Sequence, residues 1–180
     1  MSETARTEIA LPDFTTALLS DAPTPQYAER LRRFGQLVGT WEVRGSRLNE
    51  ETGEWADRLF TWVVSFVLDG RALQDVELIP DADDPDVLRP TATALRVYDP
   101  VAGATRVSYF SPITNQYANL VAVGYRDGIR QDGSQNDGRP IRWNFSSLTG
   151  DSYLWDAWVS NDEGATWVLV EHLEGARIDG

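Results

Sequence analysis

The sequence predicts an all-β protein, an up-and-down antiparallel barrel of about 8 to 10 strands preceded by one short helix. Three observations predict it. After Gly39, apolar and polar residues alternate with a period of two. The alternating runs are separated by short Asp-, Asn- and Gly-rich turns, such as the Asp-Gly pairs at 69–70 and 127–128. No helical pattern interrupts them, so neighbouring runs pair as hairpins. Closing that many hairpins into a barrel removes both exposed sheet edges, which favours a barrel over a sandwich.

The elements follow in order. Residues 1–26 read as a leader without strong periodicity, with a short helical patch at "FTTALLS", a Pro-rich end and a rim lid as one reading of its role. Residues 27–180 read as one domain. In "YAERLRRFGQLVG" Leu31, Phe34 and Leu37 fall three apart between arginines, giving one apolar stripe on a helix that Gly39 stops. Trp41, Val43, Gly45 and Arg47 then alternate with Glu42, Arg44 and Ser46, which describes a half-buried strand. "RLFTWVVSFVLDG" with "RALQDVELI", "TATALRVYDP" with "TRVSYFSP", "QYANLVAVGYRDG" with "IRQDGS", and "RPIRWNFSSL" with "SYLWDAWVS" read as successive hairpins. "TWVLVEHLEGARI" closes the chain.

Composition excludes several chemistries. The chain has no cysteine and a single histidine, His172, so disulfides, thiolate chemistry and zinc sites are not expected. A net charge of −12, with all 16 basic residues arginine, speaks against nucleic acid and anionic membranes as partners. Without lysine there is no Schiff-base chemistry. No Gly-x-Ser-x-Gly elbow or phosphate-binding glycine loop is present. The acidic start lacks the pattern of a secretory signal, so the expectation is a cytoplasmic protein, monomer or homodimer.

"LVGTW" resembles the Gly-x-Trp signature of the calycins, the lipocalins and fatty-acid-binding proteins, in which that Trp plugs the closed end of the barrel. Together, "LVGTWEVRG", "VLDGRALQDVELI", "LRVYDP", "GRPIRWNF" and "DEGATW" resemble bacterial calycin-like proteins of uncharacterised function, over Phe34 to Arg177. The resemblance implies a calycin-like barrel and leaves ligand and chemistry open. Nitrobindins are calycin-like haem proteins with a histidine ligand near the end of the barrel, and "EHLEGARI" loosely resembles that strand. This would make His172 the ligand, yet alternation puts His172 opposite Trp167 and Leu169, on the outside.

A barrel of this size holds one small ligand. Alternation names its lining as the pairs Trp143 with Phe145 and Tyr153 with Trp155, and Trp167 with Leu169, and the calycin resemblance implies Trp41 as the plug beside them. Polar residues sharing apolar faces are Gln74 with Val76, Asn119 with Val121, Tyr109 with Val107, Glu171 with Leu169, and Arg47 after Val43. Asp75 and Glu77 read as solvated on an outward face, and "DADDPD" as an acidic surface loop. The expectation is a protein that binds a small, largely apolar or aromatic molecule in the lumen without a cofactor. The alternative is a cofactor-independent isomerase, cyclase or lyase using Glu171, Tyr109 and Arg47. A nitrobindin-like haem protein is the remote third reading.

Overall fold

The computed structural model describes residues 12–178. Helix α1 (Phe14–Leu18), the short strand β1 (Leu19–Ser20) and helix α2 (Ala28–Gly35) precede ten long strands. These are β2 (Gly39–Leu48), β3 (Trp55–Val67), β4 (Ala72–Pro80), β5 (Leu88–Asp99), β6 (Ala104–Ser111), β7 (Gln116–Tyr125), β8 (Gly128–Gln135), β9 (Pro140–Ser146), β10 (Ser152–Val159) and β11 (Val168–Arg177). Each pairs antiparallel with the next, and β11 returns to β2, so the sheet closes. The fold is an up-and-down calycin-like barrel.

One end is sealed. The α2 stripe of Leu31 and Phe34, with Leu37 after it, is buried in the core, four residues before the expected stop at Gly39, which instead opens β2. Trp41 is fully buried, donates from Nε1 to Leu37 O at 2.8 Å, and meets the Tyr153 ring edge-on with centroids 5.0 Å apart. Arg177 at the end of β11 lies 4.2 Å over the Trp41 ring and donates to Val38 O and Gln36 O, both at 2.8 Å. The last strand is thereby fastened to the chain that follows α2. Gly175 makes room for this floor: a Cβ there would stand 2.2 Å from the Tyr153 ring.

The leader from residue 12 onward joins the same sealed end. Leu19 and Ser20 pair with Val67 and Phe66, and Gly70, at a φ of +70° in the β3–β4 turn, donates to Ser20 Oγ at 3.0 Å. Residues 1–11 of the expected leader lie outside the described residues. No helix among the described residues is long and apolar enough to cross a membrane.

Two strand faces run opposite to expectation. On β4 Asp75 and Glu77 point inward while Gln74 and Val76 are half-buried outside, with Gln74 bonded to Thr93 at 3.1 Å. Arginines pair the two acids, the buried Arg96 with Asp75 and the half-buried Arg58 with Glu77, so polarity does not mark the solvent side there. On β7 the small Ala118 and Ala122, with Leu120, face in, whereas Asn119, Val121 and Val123 are exposed. β-branched residues suit a strand on either face and much of a protein surface is apolar, so Val121 and Val123 do not mark the inner side of β7.

Candidate functional site

Above the floor the barrel holds a cavity of 260 Å³ that reaches Arg47 and Gln135 near strand ends and Glu50 in the β2–β3 turn. Its two sides differ in chemistry. On β9 and β10 the paired rings of Trp143 and Trp155 lie 5.6 Å apart, and those of Phe145 and Tyr153 5.4 Å apart. Tyr109 meets Trp143 at 5.3 Å and 90°, and Trp62 stacks on Phe145 at 6.0 Å, extending this surface from both sides. Strand alternation on two directly paired strands produces the wall, because residues two apart share a face.

The other side, β11–β2–β3–β4, is charged. Arg58 donates from Nη1 to Glu171 Oε1 at 2.7 Å and from Nη2 to Glu77 Oε2 at 3.3 Å. Its side chain reaches β11 from β3 across β2, where the residue between them on the inner face is Gly45. Deeper in, Asp75 pairs with Arg96 and accepts from the Ala94 backbone N–H at 2.7 Å. Arg96 also lies 5.7 Å from the ring centres of both Phe34 and Trp62. At the mouth Arg47 Nη2 donates to Gln116 Oε1 at 3.2 Å, which joins β2 to β7 on the opposite side of the barrel.

These contacts set the protonation chemistry. Burial raises the Glu77 carboxyl to about 7, with Arg58 pulling it down and the charges of Asp75 and Glu171 pushing it up. Burial opposes the charge on Arg58, but Glu171 and Glu77 more than offset it and its pKa is raised. Burial, reinforced by Glu77, pushes the Tyr109 phenol above its usual value, and burial with Asp75 does the same to Tyr153. At neutral pH both phenols therefore keep their protons, while Glu77 is divided between its protonated and ionised forms.

Of the residues expected at the site, Arg47, Tyr109, Glu171, Trp143, Phe145, Tyr153 and Trp155 all line the cavity. Five do not. Trp41 lies beneath it in the floor, Gln74 and Val76 are on the outer face of β4, and Asn119 is exposed and bonded to Ser108 at 3.0 Å. Trp167 lies outside the barrel under Arg142, 4.2 Å from its ring centre. A β-bulge explains Trp167: Ala157 pairs with Glu171 but Trp158 pairs with Leu169, so Val170 is an extra residue. Val170 and Glu171 consequently both face in, and everything before them changes face.

Arg58, Asp75, Glu77, Arg96 and Gln131 were not singled out as site residues from sequence. The available signal was the excess of arginine and acid within strand segments, which can be buried when paired. His172 faces outward, its Nδ1 2.6 Å from Asp156 Oδ1, and no histidine lines the cavity. The lumen therefore does not fit a histidine-ligated haem. Among the described residues no group of three or more His, Asp or Glu side chains is placed to hold a metal ion.

A calycin-like barrel with a lumen of ligand size is thus the class that fold and site define. No family model matches the chain, and no curated protein matches it. Among solved structures it is similar to Rv2717c from M. tuberculosis, with a TM-score of 0.58 and 15% identity over 87% of this chain and 99% of that one. It is also similar to the S-type phycobiliprotein lyase CPES from Guillardia theta, with a TM-score of 0.55 and 11% identity over 82% of this chain and 91% of that one. At these identities the likeness is one of fold.

Proposed function

We propose that the protein binds a small, largely aromatic molecule in the barrel lumen. The observation that carries this reading is the two-sided cavity, in which a wall of indole and phenyl rings faces an arc of paired charges. Flat apolar surface buried against the rings supplies the affinity, and the fixed polar groups orient the ligand, as in most small-molecule sites. The volume of 260 Å³ sets the scale. A cavity of about 150 Å³ holds benzene, so one or two fused rings fit here.

The test is a native mass spectrum of the purified protein beside a denaturing one, followed by a screen of flat aromatic compounds by tryptophan fluorescence. Extra mass released on denaturation, or saturable quenching weakened by Trp143→Ala, is the expected result. An empty barrel that binds no aromatic compound would overturn the proposal.

One observation favours a second reading, acid–base catalysis in the same lumen. Glu77 is held near neutrality beside Arg58 and Tyr109, the condition a general acid or base requires. Glu171, fixed by Arg58, and Arg47 at the mouth would then orient the substrate. In this reading Glu77→Gln abolishes turnover while aromatic binding survives. Full turnover by that variant removes Glu77 from the mechanism, and the same comparison with Glu171→Gln assigns the second carboxylate.

A further inference from the structure

Among the described residues, three buried side-chain atoms have no hydrogen-bond partner within the protein: Arg96 Nε, Gln131 Oε1 and Asn144 Oδ1. Asn144 lies on the outer face of β9, between the inward Trp143 and Phe145. Arg96 and Gln131, by contrast, both line the cavity, where they are 6% and 1% exposed. Native proteins rarely leave such atoms unpaired, so each calls for a partner from outside the chain, a ligand group or an ordered water.

The surroundings of both groups support this. Arg96 is held by Asp75 and lies over the rings of Phe34 and Trp62, so its guanidinium is not at liberty to turn toward another protein acceptor. Gln131 sits on β8 directly opposite Trp143 of β9, beside the aromatic wall. Between Arg96 on β5 and Gln131 on β8, the inward residues in register are Val107 of β6 and Leu120 of β7 beside Arg96, and Ala122 of β7 beside Gln131, and none of these side chains can hydrogen-bond either polar group.

We propose that the lumen recognises a one- or two-ring aromatic molecule carrying both a hydrogen-bond acceptor, met by Arg96 Nε–H, and a hydrogen-bond donor, met by Gln131 Oε1. Aromatic lactams, amides and hydroxy-carbonyl compounds have this character. The inference rests on the lumen-binding reading above and names the ligand class for that site. The discrimination is of a known kind. A ligand that fills the cavity but lacks a matching group leaves a buried polar atom unpaired, and sites built around such atoms reject it strongly.

Four flat probes of similar size separate the two hydrogen bonds: naphthalene offers neither group, quinoline an acceptor, indole a donor and 2-quinolone both. Their affinities are measured by equilibrium dialysis against the full-length protein at neutral pH. The expected order places 2-quinolone first, with each matched group contributing roughly tenfold. In Gln131→Leu the advantage of 2-quinolone over quinoline disappears, while that of quinoline over naphthalene remains. Arg96→Lys keeps a cation opposite Asp75 and loses the quinoline advantage instead. Where Gln131→Leu lacks the native near-ultraviolet circular dichroism, Gln131→Met serves the same comparison. Four equal affinities in the unmodified protein, or an unchanged 2-quinolone to quinoline ratio in the Gln131 variant, would overturn the donor–acceptor assignment alone. Failure of all four probes to bind would overturn the lumen-binding reading beneath it.

Discussion

The two halves of the barrel interior solve opposite problems. In the floor, Trp41, Leu31 and Leu37 are buried to 1% exposure or less, and the polar groups present, Trp41 Nε1 and the Arg177 guanidinium, are satisfied by backbone carbonyls. In the lumen, three carboxylates (Asp75, Glu77, Glu171) share two guanidiniums (Arg58, Arg96), and the Arg96 Nε and Gln131 Oε1 atoms have no partner. The floor is arranged for stability. The lumen accepts desolvated charge and open hydrogen-bonding capacity, arrangements that cost stability and are retained where a site needs them.

Four variants test that contrast, from the largest effect downward. Trp41→Ala removes the floor, and the loss of its buried volume together with its contacts to Leu37 and Arg177 is expected to cost about 5 kcal/mol in urea unfolding. A loss below about 2 kcal/mol would show that the floor does not anchor the barrel. Asp75→Ala leaves the Arg96 charge and the Ala94 N–H buried without their partner and is expected to cost about 4 kcal/mol by the same measurement.

Glu77→Gln should act in the opposite direction. The carboxyl titrates at about 7 in the fold against 4.5 as its ordinary value. Between those values the folded state holds a proton that the unfolded chain has released, so stability falls as pH rises through this window and levels off above it. The variant is therefore expected to be more stable than the parent by up to about 3 kcal/mol near pH 8 and equal to it near pH 4, read from paired thermal melts. A stability gain that does not vary with pH would break the assignment.

The smallest effect belongs to the rim. Arg139 pairs with Glu50 across the mouth at 2.5 Å and also donates to Asn161 at 3.2 Å, but its side chain and that of Glu50 are 31% and 39% exposed. Solvent screening limits Arg139→Ala to less than about 1 kcal/mol, diminishing further in high salt. A larger loss would place part of the stability at the mouth and blur the division between the two ends.

Much of the fold was legible because closure of a meander follows from counting short turns between period-two runs. The aromatic wall was legible for the same reason, since Trp143 with Phe145 and Tyr153 with Trp155 each keep their parity through an unbroken strand. Trp167 was not, because the extra residue at Val170 reverses the face and nothing in "WVLVEHL" marks it. Gln74 and Asn119 were assigned inward for their apolar company. On β4, however, the inward positions belong to acids neutralised by arginines from β3 and β5, and on β7 to alanines.

By itself, then, the sequence determined the class of architecture, the lack of thiol and lysine chemistry, and most of the ring-bearing positions, while the plug at Trp41 came through the resemblance of "LVGTW" to the calycin signature. These depend on residue type and local periodicity, which act within a few residues of one another. Only the tertiary structure decided that Arg58 reaches Glu171 across Gly45, that Asp75 meets Arg96, and that Gln131 lines the cavity with its Oε1 unpartnered. The physical reason is that the cost of burying a charge or an amide depends on its partner. In a closed barrel that partner stands on another strand, in a register set by bulges and by the volumes of side chains across the lumen.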